Sequence, residues 1–252
     1  MSALGRLKDA FKTAEHVCFD KDGTLTDVHA YWAHTCRLRA ARLAMRHPRA
    51  SSEALLAGMG IDPAKDRILP GGPVGLKPRP DVIRAAVDAL AAAGAVVPPA
   101  EVEAVFKELD LWQQEHASYK VVELAGAREL LDALARHGKK LSIFSSDRRE
   151  NSARVFESLG WTARFAAVVG GGCIKKSKPS PEGFLEACKR VGAAPGKSIY
   201  VGDTVEDMLM AAEGGALAAV GVATGLATAE ELEAHTPFVV AGLAELSEVL
   251  GA

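Results

Sequence analysis

Apolar and polar positions along the chain change their period twice. Val17-Cys18-Phe19 is a continuous apolar run that stops at Asp20, Asp22 and Gly23. Such a run predicts a strand buried on both faces, with acids at its C-terminal end. From residue 28 the spacing becomes helical. Residues 31–46 carry an apolar stripe that stops before Pro48, and Ser51-Ser52-Glu53 opens a short helix closed by Gly58 and Gly60. Asp62-Pro63 has the form of an N-cap followed by proline at the first helical position. Residues 69–80 are rich in Pro and Gly and predict a loop. Two further helices are expected at 81–93 and 99–116, with no strand between 27 and 121. The segment 28–119 therefore reads as an all-helical insert.

Beyond residue 120 helix and strand alternate. Helices are expected at 128–136, 151–159, 181–191, 204–213 and 243–250, and strands at 141–144, 166–169, 198–201, 216–220 and 238–240. This rhythm predicts an α/β fold, a Rossmann-like doubly wound parallel sheet covered by helices on both faces. The core is expected to combine residues 1–27 with 120–252.

Composition narrows the classes. The 252 residues are 48% hydrophobic, ample for a buried core, and the net charge of −2 argues against a protein whose main business is holding nucleic acid through its phosphates. Cys18, Cys36, Cys173 and Cys188 form no close metal-ligand or redox pair, which predicts reduced thiols and a cytoplasmic setting. Residues 1–15 lack the apolar stretch of a signal peptide. The longest uncharged run, 214–229, is too short to span a membrane.

Ligands of open α/β sheets lie beyond the carboxyl ends of the strands. There the predicted strands deliver Asp20 and Asp22, then Ser145, Ser146 and Asp147, then Lys175, Lys176 and Lys178, then Asp203 and Asp207. Alternation along an extended chain places Asp20 and Asp22 together and Lys21 on the other side. Crowded carboxylates call for a hard cation such as Mg²⁺. Gly23 allows the chain to turn, and the Thr24 hydroxyl is available to fix a neighbouring carboxylate.

Together these residues resemble the haloacid dehalogenase-like hydrolase superfamily, most closely its phosphatases of the phosphoglycolate phosphatase type. The motif DxDGTLxD stands as Asp20-Lys21-Asp22-Gly23-Thr24-Leu25-Thr26-Asp27, the strand-end hydroxyl is Ser145, the lysine before proline is Lys178, and GDxxxD occupies 202–207. The resemblance covers residues 14–27 and 121–250. It implies a Mg²⁺-dependent phosphatase acting on a small phosphomonoester, with a helical cap in the insert. Asp20 would be the nucleophile and Asp22 the general acid and base. Mg²⁺ would be held by the Asp20 carboxylate, the Asp22 backbone carbonyl and the Asp203 carboxylate. Ser145, Ser146, Lys178 and Thr24 would bind the phosphoryl group. Ser146 stands where relatives often have Asn, so its backbone amide is expected to matter more than its side chain.

Plainer readings stand beside these. Asp207 either orients the metal shell or simply caps a helix, since Thr204-Val205-Glu206-Asp207 fits a capping box. Lys175, Lys176 and the Asp147-Arg148-Arg149-Glu150 stretch read as solvated charges. His29 and His34 belong to the insert's surface or core, and Trp32, Trp112 and Tyr119 to its packing. A phosphomutase on the same core is the alternative activity, and a non-catalytic phosphate-binding protein a further one. Dehalogenation is disfavoured, because Asp22 supplies a proton that a halide does not need. The insert is expected to act as a lid hinged at 26–28 and 118–121, with Lys77 and Arg79 candidates to meet an anionic substrate.

Overall fold

A computed structural model describes residues 2–116 and 120–251 of the chain. It separates into two compact units, Met1–Asp27 with Glu123–Ala252, and Val28–Val122. In chain order, α1 (Ala3–Thr13) precedes β1 (His16–Phe19). The second unit holds α2 (Val28–Arg46), α3 (Ser52–Gly58), β2 (Ile61–Asp62), β3 (Arg67–Ile68), α4 (Arg79–Ala92) and α5 (Pro99–His116). The first unit resumes with α6 (Ala127–Arg136), β4 (Lys140–Phe144), α7 (Arg149–Leu159), β5 (Ala167–Val169), α8 (Glu182–Val191) and β6 (Ser198–Gly202). It ends with α9 (Val205–Glu213), β7 (Ala218–Val222), α10 (Ala229–Glu233), β8 (Val239–Val240) and α11 (Leu243–Leu250).

Among the described residues the first unit forms one six-stranded sheet in the order β5-β4-β1-β6-β7-β8, with every neighbouring pair parallel. Strand order reverses at β1, which lies between β4 and β6. Phe19 pairs with Ile143 on one side and Val201 on the other. One step on, Asp20 is level with Phe144 and Gly202, and Ser145 and Asp203 follow. The register therefore collects three functional candidates at the switch point, where such sheets bind ligands.

Both faces of the sheet are apolar, as a parallel sheet requires. Val17, Phe19, Leu141, Ile143, Ile199 and Val201 pack on one face with Leu7 and Phe11 of α1, Leu130 and Leu134 of α6, and Leu243 and Leu246 of α11. Cys18, Phe144 and Tyr200 pack on the other with Phe184 and Cys188 of α8 and Met210 of α9. Each such fully buried large side chain contributes roughly 1.5–3 kcal/mol. Helix ends follow local chemistry. Ser2 Oγ accepts from the Gly5 N–H at 3.1 Å to open α1, and Gly192, at φ 66°, closes α8 in a conformation that side chains disfavour.

In the second unit Val82, Ile83, Ala86 and Leu90 form the buried stripe of α4, and Val102, Val105, Phe106 and Leu109 that of α5. The all-helical expectation needs one correction. Ile61 and Asp62 pair with Ile68 and Arg67 in a short antiparallel hairpin. Asp62 caps the turn of that hairpin, accepting from the N–H groups of Ala64 at 2.9 Å and Lys65 at 3.2 Å, rather than starting a helix. Arg79 is the first residue of α4 and is not a free cation. Together with the buried Arg39 it shares the carboxylate of Asp110, at 2.5 and 2.9 Å, and both guanidinium groups lie against Phe106. His29 is buried and its Nδ1 accepts from the Ile68 N–H at 3.2 Å. Trp112 stacks on His116. Ser118 and Tyr119 lie outside the described residues. No described helix is long and apolar enough to cross a membrane.

Candidate active site

The loop after β1 sets the site's geometry. The Asp20 N–H donates to the Val201 carbonyl at 2.9 Å, so its backbone continues the ladder for one residue. The strand then ends. The Lys21 carbonyl accepts from the N–H groups of Leu25 at 2.9 Å and Thr26 at 3.0 Å, closing a turn around Gly23, whose φ is 91°. Asp22 therefore lies in the turn rather than in the strand, and its charge still acts on Asp20, adding to the rise of that carboxyl. Asp22 accepts from Thr26 Oγ1 at 3.1 Å and pairs with Lys21 Nζ at 2.8 Å.

The carboxylates beside Asp20 are those of Asp203 and Asp207. One oxygen from each of the three lies within 4.8 Å of the others, and all three side chains are buried. Lys178, on the segment before α8, donates to Asp20 and pairs with Asp207 at 2.7 Å. Its ammonium also lies 5.3 Å from the Phe144 ring centroid and 5.8 Å from that of Tyr200.

Three acids against one lysine leave the cluster short of positive charge. Burial pushes the Asp20 carboxyl up to about 7, with Lys178 pulling it down and Asp207 pushing it further up. Burial likewise raises Asp203 well above the carboxylate range, and Asp20 and Asp207 add to the effect. For Lys178 burial opposes the charge, but Asp20 and Asp207 outweigh it and hold the ammonium above the usual lysine range. A hard divalent cation with oxygen ligands fits this donor set, both in chemistry and in charge.

Asp203 is held from several sides. Thr24 Oγ1 donates to its Oδ1 at 3.1 Å, and the Leu226 N–H donates to its Oδ2 at 2.9 Å. A Cβ on Gly23 or Gly225 would overlap the same carboxylate, so both loops approach closely because they lack side chains there. Thr224 Oγ1 donates to the Gly23 carbonyl at 2.7 Å and joins the two loops. Thr24, expected to touch substrate, is fully buried with its hydroxyl given to Asp203. The carboxylate-fixing role that its position suggested is the one the structure displays.

Asp207 combines two roles. It forms a capping box with Thr204 at the start of α9 through Oδ2, and Oδ1 accepts from Tyr200 Oη at 3.0 Å and from Lys178. Ser145 is buried, its N–H donates to the Val169 carbonyl at 3.1 Å, and its Oγ accepts from the Asp147 N–H at 3.2 Å. Ser146 is exposed. Asp147 is not a merely solvated helix start, for it pairs with the buried Lys21 at 3.3 Å. Tyr200, the loop 224–226 and the Lys21 to Asp147 link are contributions that the sequence reading missed. The one available signal was a Thr-Gly pair following a predicted strand.

Residues 14–215 match the family model described as haloacid dehalogenase-like hydrolase. The chain is 30% identical to "Probable phosphatase IndB" of Dickeya dadantii over 94% of its own length and 92% of that protein's. It is 25% identical to phosphoglycolate phosphatase of Shigella boydii, covering 91% and 89% of the two chains. The solved structure of a "putative beta-phosphoglucomutase" from Thermotoga maritima superposes with a TM-score of 0.70 at 21% identity, over 94% of this chain and 98% of that one.

Proposed function

Because the chain belongs to the haloacid dehalogenase-like hydrolase family, we propose that it is a Mg²⁺-dependent phosphatase that hydrolyses a small organic phosphomonoester through an aspartyl-phosphate on Asp20. The observation that carries this reading is the meeting of Asp20, Lys178, Asp203 and Asp207 at the carboxyl edge of β1 and β6. The names of the two curated relatives support the phosphatase class over the mutase alternative.

An Asp20 oxygen attacks phosphorus while the ester P–O bond breaks, and Asp22 gives its proton to the departing alkoxide. Water then attacks the phosphorus of the acyl phosphate, Asp22 takes its proton, and the bond to Asp20 breaks to restore the carboxylate. Two of the three N–H donors of Lys178 are engaged by Asp20 and Asp207, which leaves one for a phosphoryl oxygen. Ser145 contributes beside it, and the shared charge stabilises the transferring group. The Asp20 and Asp203 carboxylates with the Asp22 backbone carbonyl would hold Mg²⁺, whose charge offsets that of the transferring phosphoryl oxygens and favours ionised Asp20. The insert is the proposed lid and source of specificity, as its adjoining linkers suggest. Thr26 bridges Glu123, and the Leu124 N–H donates to the Leu25 carbonyl at 2.9 Å, so the chain leaves and returns side by side.

A panel of phosphomonoesters, including phosphoglycolate and hexose phosphates, tests the reading by phosphate release with and without Mg²⁺. Metal-dependent release is expected. Conversion of a hexose phosphate to its isomer without free phosphate would favour the mutase, and no turnover of any panel member would retire the catalytic reading.

A further inference from the structure

We propose that Lys21 is a positioning residue, which sets the carboxylate of Asp22 for proton transfer and ties it to the segment that carries Ser145. This role rests on the phosphatase reading and adds to it a residue outside the reacting groups. The Lys21 side chain is 4% exposed, at a place where an apolar side chain of similar length would bury without losing the hydration of an ammonium. What the charge adds is its two partners. Nζ lies 2.8 Å from Asp22 Oδ2 and 3.3 Å from Asp147 Oδ2.

Both oxygens of Asp22 are thereby fixed, since Oδ1 accepts from Thr26 Oγ1 at 3.1 Å. The same threonine hydroxyl lies 3.2 Å from the Lys21 carbonyl. Asp147 is equally constrained. Its Oδ1 accepts from the Arg148 N–H at 2.7 Å and from Asn151 Nδ2 at 2.8 Å, and its own N–H donates to Ser145 Oγ. An unbroken series of polar contacts thus runs from Thr26 through Asp22, Lys21 and Asp147 to Ser145. A proton donor must be placed relative to the phosphoryl group that Ser145 would hold, and small misplacements of such groups are costly in rate. Lys21 spans the two segments that fix that placement.

The test compares an alkyl phosphomonoester, whose alkoxide needs a proton, with p-nitrophenyl phosphate, whose phenolate needs little help. kcat and KM are measured at saturating Mg²⁺ for the native protein, Lys21→Met, Lys21→Arg, Asp147→Asn and Asp22→Asn. Lys21→Met is expected to lower kcat on the alkyl ester about tenfold more than on the aryl ester, less than the roughly hundredfold or greater loss expected when the acid itself is removed, with KM moving less. Lys21→Arg should recover part of the alkyl rate, and Asp147→Asn should show the same selectivity at smaller size. Parallel losses on both substrates, an unchanged ratio, or a raised alkyl kcat would overturn the role. If Lys21→Met does not fold, as its circular dichroism melt would reveal, Asp147→Asn decides by the same ratio. Asp22→Asn separates the two levels: a selective loss there with none in Lys21→Met removes Lys21 alone, whereas a parallel loss in Asp22→Asn removes the acid assignment itself.

Discussion

His16 opens β1 and Asp20 stands one residue past its end, and the protein handles these two polar side chains in opposite ways. At the N-terminal end His16 is fully buried, with Nδ1 2.9 Å from Ser198 Oγ and Nε2 2.7 Å from Ser142 Oγ. Two neutral hydroxyls satisfy both ring nitrogens, and the site is closed. At the C-terminal end Asp20 is buried with two further carboxylates and a single lysine, and the acids are pushed toward protonation. The core tolerates a polar group wherever its hydrogen bonds are complete and its charge is absent. A surplus of buried charge is relieved either by protonation or by a cation brought in from outside the chain. The contrast between the two ends marks the C-terminal edge as the place where a cation would be accommodated, without reference to any motif.

The largest break in this contrast is Asp20→Asn. The amide keeps the shape but cannot attack phosphorus, so turnover is expected to fall by about three orders of magnitude or more, while the melting temperature holds or rises as one buried charge disappears. Activity near the native level would refute the nucleophile. Next is Lys178→Met, which leaves the buried acids without their cation. Metal-free stability should drop by about 3 kcal/mol, with Mg²⁺ restoring part of it, and chemical denaturation with and without the ion measures both. Stability that is unchanged in both conditions would show that Lys178 does not balance the cluster. Asp203→Ala should act more narrowly, raising the Mg²⁺ needed for half-maximal turnover by about a hundredfold or more, since loss of a direct ligand should exceed the roughly ten- to hundredfold cost of losing an outer partner. An unaltered metal titration would place the ion elsewhere.

These sites differ in how far the sequence announces them. Strands were readable because continuous apolar runs end abruptly in Asp, Ser or Gly, as at Phe19-Asp20 and Phe144-Ser145, and the parallel register then brings those ends together. α1 gives little signal in the sequence because Leu7 and Phe11 are its only buried apolar residues among several charges, and β2 and β3 pair over two residues each. Lys178 and Asp207 were legible as residues, but not as partners, since their meeting depends on how α8 and α9 pack on the sheet. Tyr200 read only as strand interior, although its hydroxyl supports Asp207. Lys21 lies past the last residue of β1, and alternation along a strand does not foretell that its long side chain reaches both Asp22 and Asp147. At Lys21, Lys178 and Tyr200 the local pattern fails because a long side chain reaches across elements.

The smallest effect belongs to His16, and it sharpens the contrast by appearing in stability alone. Burial, with Lys140 adding to it, lowers the imidazole from 6.5 to about 4, so the native ring is neutral near pH 7. The unfolded chain takes up a proton at about pH 6.5, which the folded ring refuses until about pH 4, so the unfolded state binds more protons between these limits. Stability from this residue is therefore complete above the unfolded value, is lost as pH falls through that window, and changes no further below it. Between pH 7 and pH 5 the loss should be about 2 kcal/mol, since each unit of displaced titration is worth about 1.4 kcal/mol. Urea unfolding of the native protein and of His16→Gln at the two pH values isolates this share from that of the carboxylates. The native protein should lose more stability than the variant on acidification. Equal losses in both would mean that the imidazole titrates alike in the folded and unfolded chains, and that closure at this end of β1 does not exclude the proton.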